Sequence, residues 1–383
     1  IDKTFAKARS FEDKGEIDKA RNIYVSILKS FPKNNRAKES LYKLNQQSSK
    51  ISSSNNPDQL KINQLMDLYK QKNLTELIRD TDSLKNEFPY SFIVFNIRAM
   101  AFSGLGKMSE AEINFRRSIE INPSHPDSYN NLGVIYQSQG RYDEALSSYK
   151  EVIKLNSGYY QTHNNIGILL QEKGDYLNAI EHHSTAFKIN PNYTEALNNL
   201  GIAYQKSGNY VAAIKAYSQA IEINPNDPRV YNNIGLTLLE EKKLEESILS
   251  FKKSLEIHPQ FVEALNNIGY VLNEQSKFEK AEPYLKKLLS INPNHAEAYN
   301  NLGNTLKNLF RLDEAIIAFE KAIYLKPKYT KALNNLGNAL KDQGRTKEAI
   351  ECYKKALEID PNFAETLSNM GVALKDQGRT KEA

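Results

Sequence analysis

The sequence predicts an all-α fold, an α-α superhelix made by stacking short helical hairpins. Three observations carry that expectation. An Asn-Asn-(Leu/Ile)-Gly tetrad recurs with its glycine at Gly133, Gly167, Gly201, Gly235, Gly269, Gly303 and Gly337, each 34 residues from the last, and Gly371 continues the series inside Ser-Asn-Met-Gly. A small residue follows 12 residues later, at Ala145, Ala179, Ala213, Ser247, Ala281, Ala315, Ala349 and Ala383. A proline closes the units at Pro123, Pro191, Pro225, Pro259, Pro293, Pro327 and Pro361, with Ser157 breaking the series. Such a period marks supersecondary units that cannot bury their own outer face and do so by stacking.

With the glycine as position 8 of each unit, positions 4, 7, 8 and 11 fall on one helix face at about 100° per residue. Position 11 is Tyr136, Leu170, Tyr204, Leu238, Leu272, Leu306, Leu340 or Leu374. Positions 20, 24 and 27 share a face of a second helix, as in Ala315, Phe319 and Ala322. Position 15 is glycine at Gly140, Gly174, Gly208 and Gly344, where the first helix must stop and turn. Proline at position 32 ends the second helix. A glycine inside a helix costs about 0.5–1 kcal/mol relative to alanine. Close approach of the two helix backbones is the expected compensation.

The pattern divides the chain. Residues 1–47 read as one repeat (Ala8, Phe11, Gly15, Ala20, Tyr24, Pro32) followed by an extra helix through Ala37, Leu41 and Leu44. Residues 48–57 read as a linker rich in serine and asparagine. Residues 58–91 read as a divergent repeat in which only Leu77, Leu84 and Pro89 keep register. Residues 92–383 form the main array, with Arg98 at an unusual position and the last repeat stopping early in its second helix. The first piece is expected to fold back on the array or to belong to a longer upstream one. The natural protein is expected to continue past Ala383, since solenoids need polar caps.

These spacings resemble the tetratricopeptide repeat (TPR) family: a small residue at position 8, aromatic or leucine at 11, alanine at 20, an aromatic at 24 and proline at 32. The resemblance covers residues 92–383 and extends to 1–34. It implies a right-handed solenoid with a concave inner face and a role in protein–protein interaction.

Position 6 is asparagine in eight consecutive repeats: Asn131, Asn165, Asn199, Asn233, Asn267, Asn301, Asn335 and Asn369. It lies about 200° around the helix from position 8. The family resemblance puts this face on the concave side. With helices packed about 8–10 Å apart and an extended peptide rising about 3.3 Å per residue, one amide meets about every third peptide unit. A carboxamide both donates and accepts, so it can hold a peptide backbone whatever the side chains. The ladder stops at Ile97. Asparagine also recurs at position 5, from Asn130 to Asn334. A second reading therefore stays open, in which these amides bridge adjacent hairpins or are simply copied by duplication. Under the peptide reading, replacing Asn199, Asn233, Asn267 and Asn301 by alanine is expected to leave melting nearly unchanged.

Segments such as 332–345, Ala-Leu-Asn-Asn-Leu-Gly-Asn-Ala-Leu-Lys-Asp-Gln-Gly-Arg, and 348–357 resemble more narrowly the repeats of O-linked N-acetylglucosamine transferase (SPINDLY-like). That resemblance implies that the position-6 asparagines hold a substrate polypeptide and that a glycosyltransferase domain lies outside this chain. A third expectation is an assembly module that dimerises through the convex face.

Other chemistry finds little footing. Net charge is +5, with acids and bases interspersed, which argues against nucleic acid. Lys252-Lys253 and Lys286-Lys287 read as solvated outer faces. The one cysteine, Cys352, allows no disulfide framework. Ser103–Met108 lacks the first glycine and the hydroxyl of a phosphate loop. His182 and His183 are adjacent and point apart, and His125, His163, His258 and His295 are scattered, so no metal site is expected. No stretch reaches the roughly 18 apolar residues that cross a bilayer. No catalytic residue, cofactor or membrane contact is expected. The expected partner is a protein or peptide in the groove, and the expected location is the cytoplasm.

Overall fold

A computed structural model of the chain describes residues 2–13, 17–31, 34–52 and 56–379. Gly15, Pro32, residues 53–55 of the expected linker, and Ala383 lie outside the described residues. Among the described residues there are twenty-two α-helices and no strand, so the chain is all-α, of the α-α superhelix class. It divides into two compact units, Ile1–Leu169 and Leu170–Ala383.

In the first unit, α1 (Asp2–Asp13), α2 (Ile17–Ser30) and α3 (Asn35–Ser52) share a core of Phe5, Ala8, Ala20, Tyr24, Ile27, Ala37 and Leu44. Helix α3 runs to Ser52, so residues 48–52 of the expected flexible linker are helical. Then come α4 (Gln59–Lys70) and α5 (Leu74–Glu87), α6 (Phe92–Gly104) and α7 (Met108–Ile121), α8 (Pro126–Ser138) and α9 (Tyr142–Leu155), and α10 (Tyr160–Glu172), which crosses into the second unit. The divergent repeat keeps the hairpin: Leu65, Leu77 and Leu84 are buried against Val94, Ile97 and Ala101.

The second unit continues with the same alternation, through α11 (Tyr176–Ile189). Its complete hairpins begin at α12 (Thr194–Lys206) and α13 (Tyr210–Ile223), followed by α14 (Pro228–Glu240) and α15 (Leu244–Ile257), then α16 (Val262–Glu274) and α17 (Phe278–Ile291). Next are α18 (Ala296–Asn308) and α19 (Leu312–Leu325), then α20 (Thr330–Asp342) and α21 (Thr346–Ile359), and finally α22 (Ala364–Asp376). One core cluster runs from Leu285 to Leu374 through Phe319 and Tyr353, showing how each hairpin buries the face of the next.

The turn inside each hairpin sits at position 15. Gly106, Gly140, Gly174, Gly208, Gly344 and Gly378 all have φ between +73° and +83°. Where glycine is absent, Lys72, Lys242, Ser276 and Phe310 adopt φ of 55° to 61°. The left-handed cap is thus imposed by the fold even on residues that disfavour it. Between hairpins, position 31 makes an Asx turn: the Oδ1 of Asn190, Asn224 and Asn292 accepts the backbone N–H two residues on, at 3.1–3.2 Å.

The position-8 glycine has a reason other than bare backbone contact. A Cβ on Gly201 would stand 2.3 Å from Tyr217 Cε1, and one on Gly303 2.5 Å from Phe319 Cε1. The same holds for Gly133 and Tyr149, Gly235 and Phe251, and Gly337 and Tyr353. The missing side chain makes a notch, and the position-24 side chain of the same hairpin fills it. Tyr149, Tyr217, Phe251, Phe319 and Tyr353 are fully buried there.

Candidate functional site: an amide-lined face

Consecutive asparagines on a helix point about 100° apart, so the two members of each pair meet different surroundings. At position 5, Asn198, Asn232, Asn300 and Asn334 are buried, as is Asn130 in the first unit, while Asn266 is half-buried. At position 6, all eight of Asn131, Asn165, Asn199, Asn233, Asn267, Asn301, Asn335 and Asn369 are half-buried.

The two rows are joined. In the second unit the position-6 Nδ2 donates to the position-5 Oδ1 of the preceding hairpin: Asn233 to Asn198 at 2.9 Å, Asn267 to Asn232 at 2.9 Å, Asn301 to Asn266 at 3.0 Å, Asn335 to Asn300 at 3.0 Å and Asn369 to Asn334 at 3.0 Å. In the first unit Asn165 donates to Asn130 at 3.1 Å. A hydroxyl at position 3 adds a second donor where present: Thr366 to Asn334 Oδ1 at 3.0 Å, and Thr162 to Asn130 Oδ1 at 2.7 Å. Polar side chains at position 12 reach the same strip, with Asn273 Nδ2 on the Asn301 carbonyl at 3.0 Å and Gln171 Nε2 on the Asn199 carbonyl at 2.9 Å.

Bridging between hairpins is therefore present. A bridging amide spends one N–H and keeps an acceptor oxygen and a second N–H. The bridges revise the melting expectation: alanine at Asn233, Asn267 and Asn301 is expected to lower melting rather than leave it nearly unchanged. Each loss at Asn233, Asn267 or Asn301 takes the donor from a carboxamide oxygen of the preceding hairpin, at roughly 1 kcal/mol or more where that oxygen is buried. Bridging by the doublet was one reading left open from the sequence, but the hydroxyl partners at position 3 were not assigned a role. The doublet itself was the signal, since a single row of amides needs only one asparagine per repeat.

Within the second unit the middle of the strip lies in a groove of about 630 Å³. Asn267, Asn301 and Asn335 line it together with Tyr270, Tyr329 and Phe363. Burial and the charge of Glu297 push the Tyr329 phenol up to about 12, and burial and Glu274 likewise raise Tyr270. Both phenols stay protonated near neutral pH and can donate. Asn199 and Asn233 lie outside this groove's lining.

Elsewhere the polar clusters are structural. In the first unit, His125 Nδ1 stands 3.0 Å from Ser128 Oγ, and His125 Nε2 stands 3.6 Å from Asp127 Oδ2. This order of groups resembles a nucleophile, base and acid. But Ser128 is 0% exposed, and its hydroxyl also meets Ser118 Oγ at 2.9 Å and Asn96 Oδ1 at 3.2 Å, so no substrate reaches it. His183 at position 24 is buried, and desolvation lowers its pKa to about 3, so it is a neutral core residue. Burial pushes the Cys352 thiol up, away from the reactive thiolate. Among the described residues no three His, Cys, Asp or Glu side chains gather as a metal site, and no helix is long and apolar enough to cross a membrane.

Comparison with known proteins bears on the hairpins. Family models described as tetratricopeptide repeat match residues 94–125, 126–159, 194–227, 216–248, 260–328 and 318–351, and one described as TPR repeat matches 169–208 and 337–378. No curated protein matches the chain. Among solved structures, the APC/C hetero-tetramer Cut9–Hcn1 aligns with a TM-score of 0.55 at 17% identity, covering 97% of this chain and 75% of that one. A tetratricopeptide repeat protein from Parabacteroides merdae aligns with a TM-score of 0.52 at 20% identity, covering 65% of this chain and 98% of that one. At these identities the likeness is one of fold. Neither the models nor these structures single out the O-linked N-acetylglucosamine transferase repeats. With matches running from residue 94 to 378 across two short gaps, over hairpins folded as their spacing demands, the chain belongs to the tetratricopeptide repeat family.

Proposed function

We propose that this chain is a protein-interaction scaffold that holds an extended polypeptide segment against its position-6 asparagines. The observation that carries the reading is the pinned row of half-buried amides. Each bridge fixes the side-chain torsions of its donor before any partner arrives, so little rotamer entropy is left to lose on binding. In the bridged donors Asn165, Asn233, Asn267, Asn301, Asn335 and Asn369, the oxygen and second N–H match the donors and acceptors of a peptide backbone. The residues in the proposed role are Asn131, Asn165, Asn199, Asn233, Asn267, Asn301, Asn335 and Asn369, with the greatest weight on Asn267, Asn301 and Asn335 in the groove. No cofactor, metal or catalytic group enters the reading.

The test separates bridging from holding. A fluorescein-labelled random dodecapeptide pool is titrated against the chain, against Asn301→Ala with Asn335→Ala, and against Asn266→Ala with Asn300→Ala. Both pairs remove the same two bridges and are expected to lower melting alike. All four residues line the groove, but only the first pair removes position-6 amides. It is expected to weaken binding about tenfold or more, the worth of two hydrogen bonds. The position-5 pair is expected to keep most of the binding. Equal loss of binding in both pairs would show that these asparagines serve the stack alone.

A further inference from the structure

Backbone amides cannot choose among sequences, so selectivity in the groove must come from its other side chains. Three carboxylates, Glu274, Glu297 and Glu365, and one ammonium, Lys331, line it. The stretch is therefore net −2 within a chain of net +5. All four side chains are exposed. Two other acids of the same unit come with cations: Glu282 meets Lys286 at 2.7 Å and Arg311 at 2.8 Å, and Glu348 meets Arg345 at 2.6 Å. Glu274, Glu297 and Lys331 make no ion pair among the described residues, and Glu365 accepts only the amide of Asn334 at 3.0 Å. The carboxylates share the groove lining with Tyr270, Tyr329 and Phe363. Tyr270 is 42% exposed, and the charges of Glu274 and Glu297 are felt by Tyr270 and Tyr329. A divalent cation does not explain them, since no three acids gather closely enough to ligate one.

We infer that this stretch, from α16 to α22, selects an extended segment carrying lysine or arginine side chains. The inference rests on the peptide-holding role proposed above and adds its selectivity. A basic side chain lays its apolar stem along a ring and its charge between ring face and carboxylate, gaining cation–π and ionic attraction together. Exposed charges in a groove act mainly on the choice of partner and on the encounter rate. Lys331 sits at position 2 between Glu297 and Glu365 on neighbouring hairpins, so the register alternates in sign.

The full chain is titrated with labelled glycine–serine dodecapeptides that carry arginine, serine or glutamate at every third position. The arginine peptide is expected to bind about tenfold tighter than the serine peptide, and the glutamate peptide more weakly than either. E274Q, E297Q and E365Q together are expected to erase the arginine preference, read as the ratio of arginine-peptide to serine-peptide affinity. K331E alone is expected to widen the preference, and about 0.5 M salt to narrow it. Equal affinity for arginine and serine peptides, or an arginine preference that survives the triple variant, overturns the inference and leaves backbone holding intact. Failure of every peptide to bind overturns both readings.

Discussion

Two hairpins of the chain share one framework and display different faces. In α6 and α7, position 8 is Ala99, position 24 is Phe115, position 6 is Ile97 and position 7 is Arg98. In α18 and α19 the same positions hold Gly303, Phe319, Asn301 and Leu302. Both phenyl rings are buried, at 1% and 0% exposure. A Cβ at Gly303 would stand 2.5 Å from the Phe319 ring, a distance Ala99 cannot have from Phe115, so the two hairpins do not place the ring identically. Ile97 is buried where Asn301 is half-buried and bridged to Asn266. Arg98, where leucine was expected, is held by Asp82 at 2.6 Å and lies over the Phe102 ring at 4.9 Å. Hairpin packing and the amide face are thus separate layers: the first survives where the second is missing.

That comparison can be broken most forcefully at the notch. Gly303→Val places branched carbon where Phe319 already sits and is expected to lower stability by about 1–3 kcal/mol or more, read as a fall in melting temperature. Gly303→Ala is expected to cost less. Should the alanine variant melt with the parent, the Phe319 ring yields freely and the contrast with Ala99 carries no energy.

A middle-sized effect lies at the polar exception to the ring series, His183. Its folded pKa is about 3 against 6.5 for an ordinary histidine. As pH falls from 6.5 toward 3, the unfolded chain takes up a proton that the native chain refuses, so stability is lost over that window and fully retained above it. His183→Phe removes this dependence. The gap between the melting curves of variant and parent is expected to widen in the variant's favour below about pH 6.5 and to stay constant above. A constant gap at all pH would mean His183 titrates normally in the folded chain.

The smallest effect belongs to the turn. Phe310 is 90% exposed and holds φ of 59°, while Gly344 in the next hairpin holds φ of 83° without strain. Phe310→Gly is expected to raise stability by about 0.5–1 kcal/mol, a small upward shift in thermal unfolding. No gain would mean that the phenyl ring contributes something in this position that its exposure conceals.

The hairpin and its punctuation were legible in the amino-acid order because they are local. Glycine or a forced left-handed residue at position 15, the Asx turn at position 31 and the alanine at position 20 act within a few residues or within one helix pair. Even in residues 58–91, where the first helix looked irregular, Lys72 keeps the positive φ of position 15 and Leu77 the buried place of position 20. Serine and asparagine content misled at residues 48–52, where α3 continues to Ser52 against composition.

The recurrence of two asparagines was visible in the sequence, but not the division of labour between them. Neighbours on one helix differ by about 100°. Which of them faces the adjacent hairpin depends on how that hairpin stacks, and the bond that answers joins residues 35 apart, as from Asn301 to Asn266. The occupant of the glycine notch was hidden for the same reason, since Gly303 meets a ring 16 residues away on the partner helix. Periodicity settles which residues repeat and where helices turn, because those are properties of the chain's own backbone. Burial, bridging and the uncompensated acids of the groove come only from side chains brought together across helices, which tertiary packing alone decides.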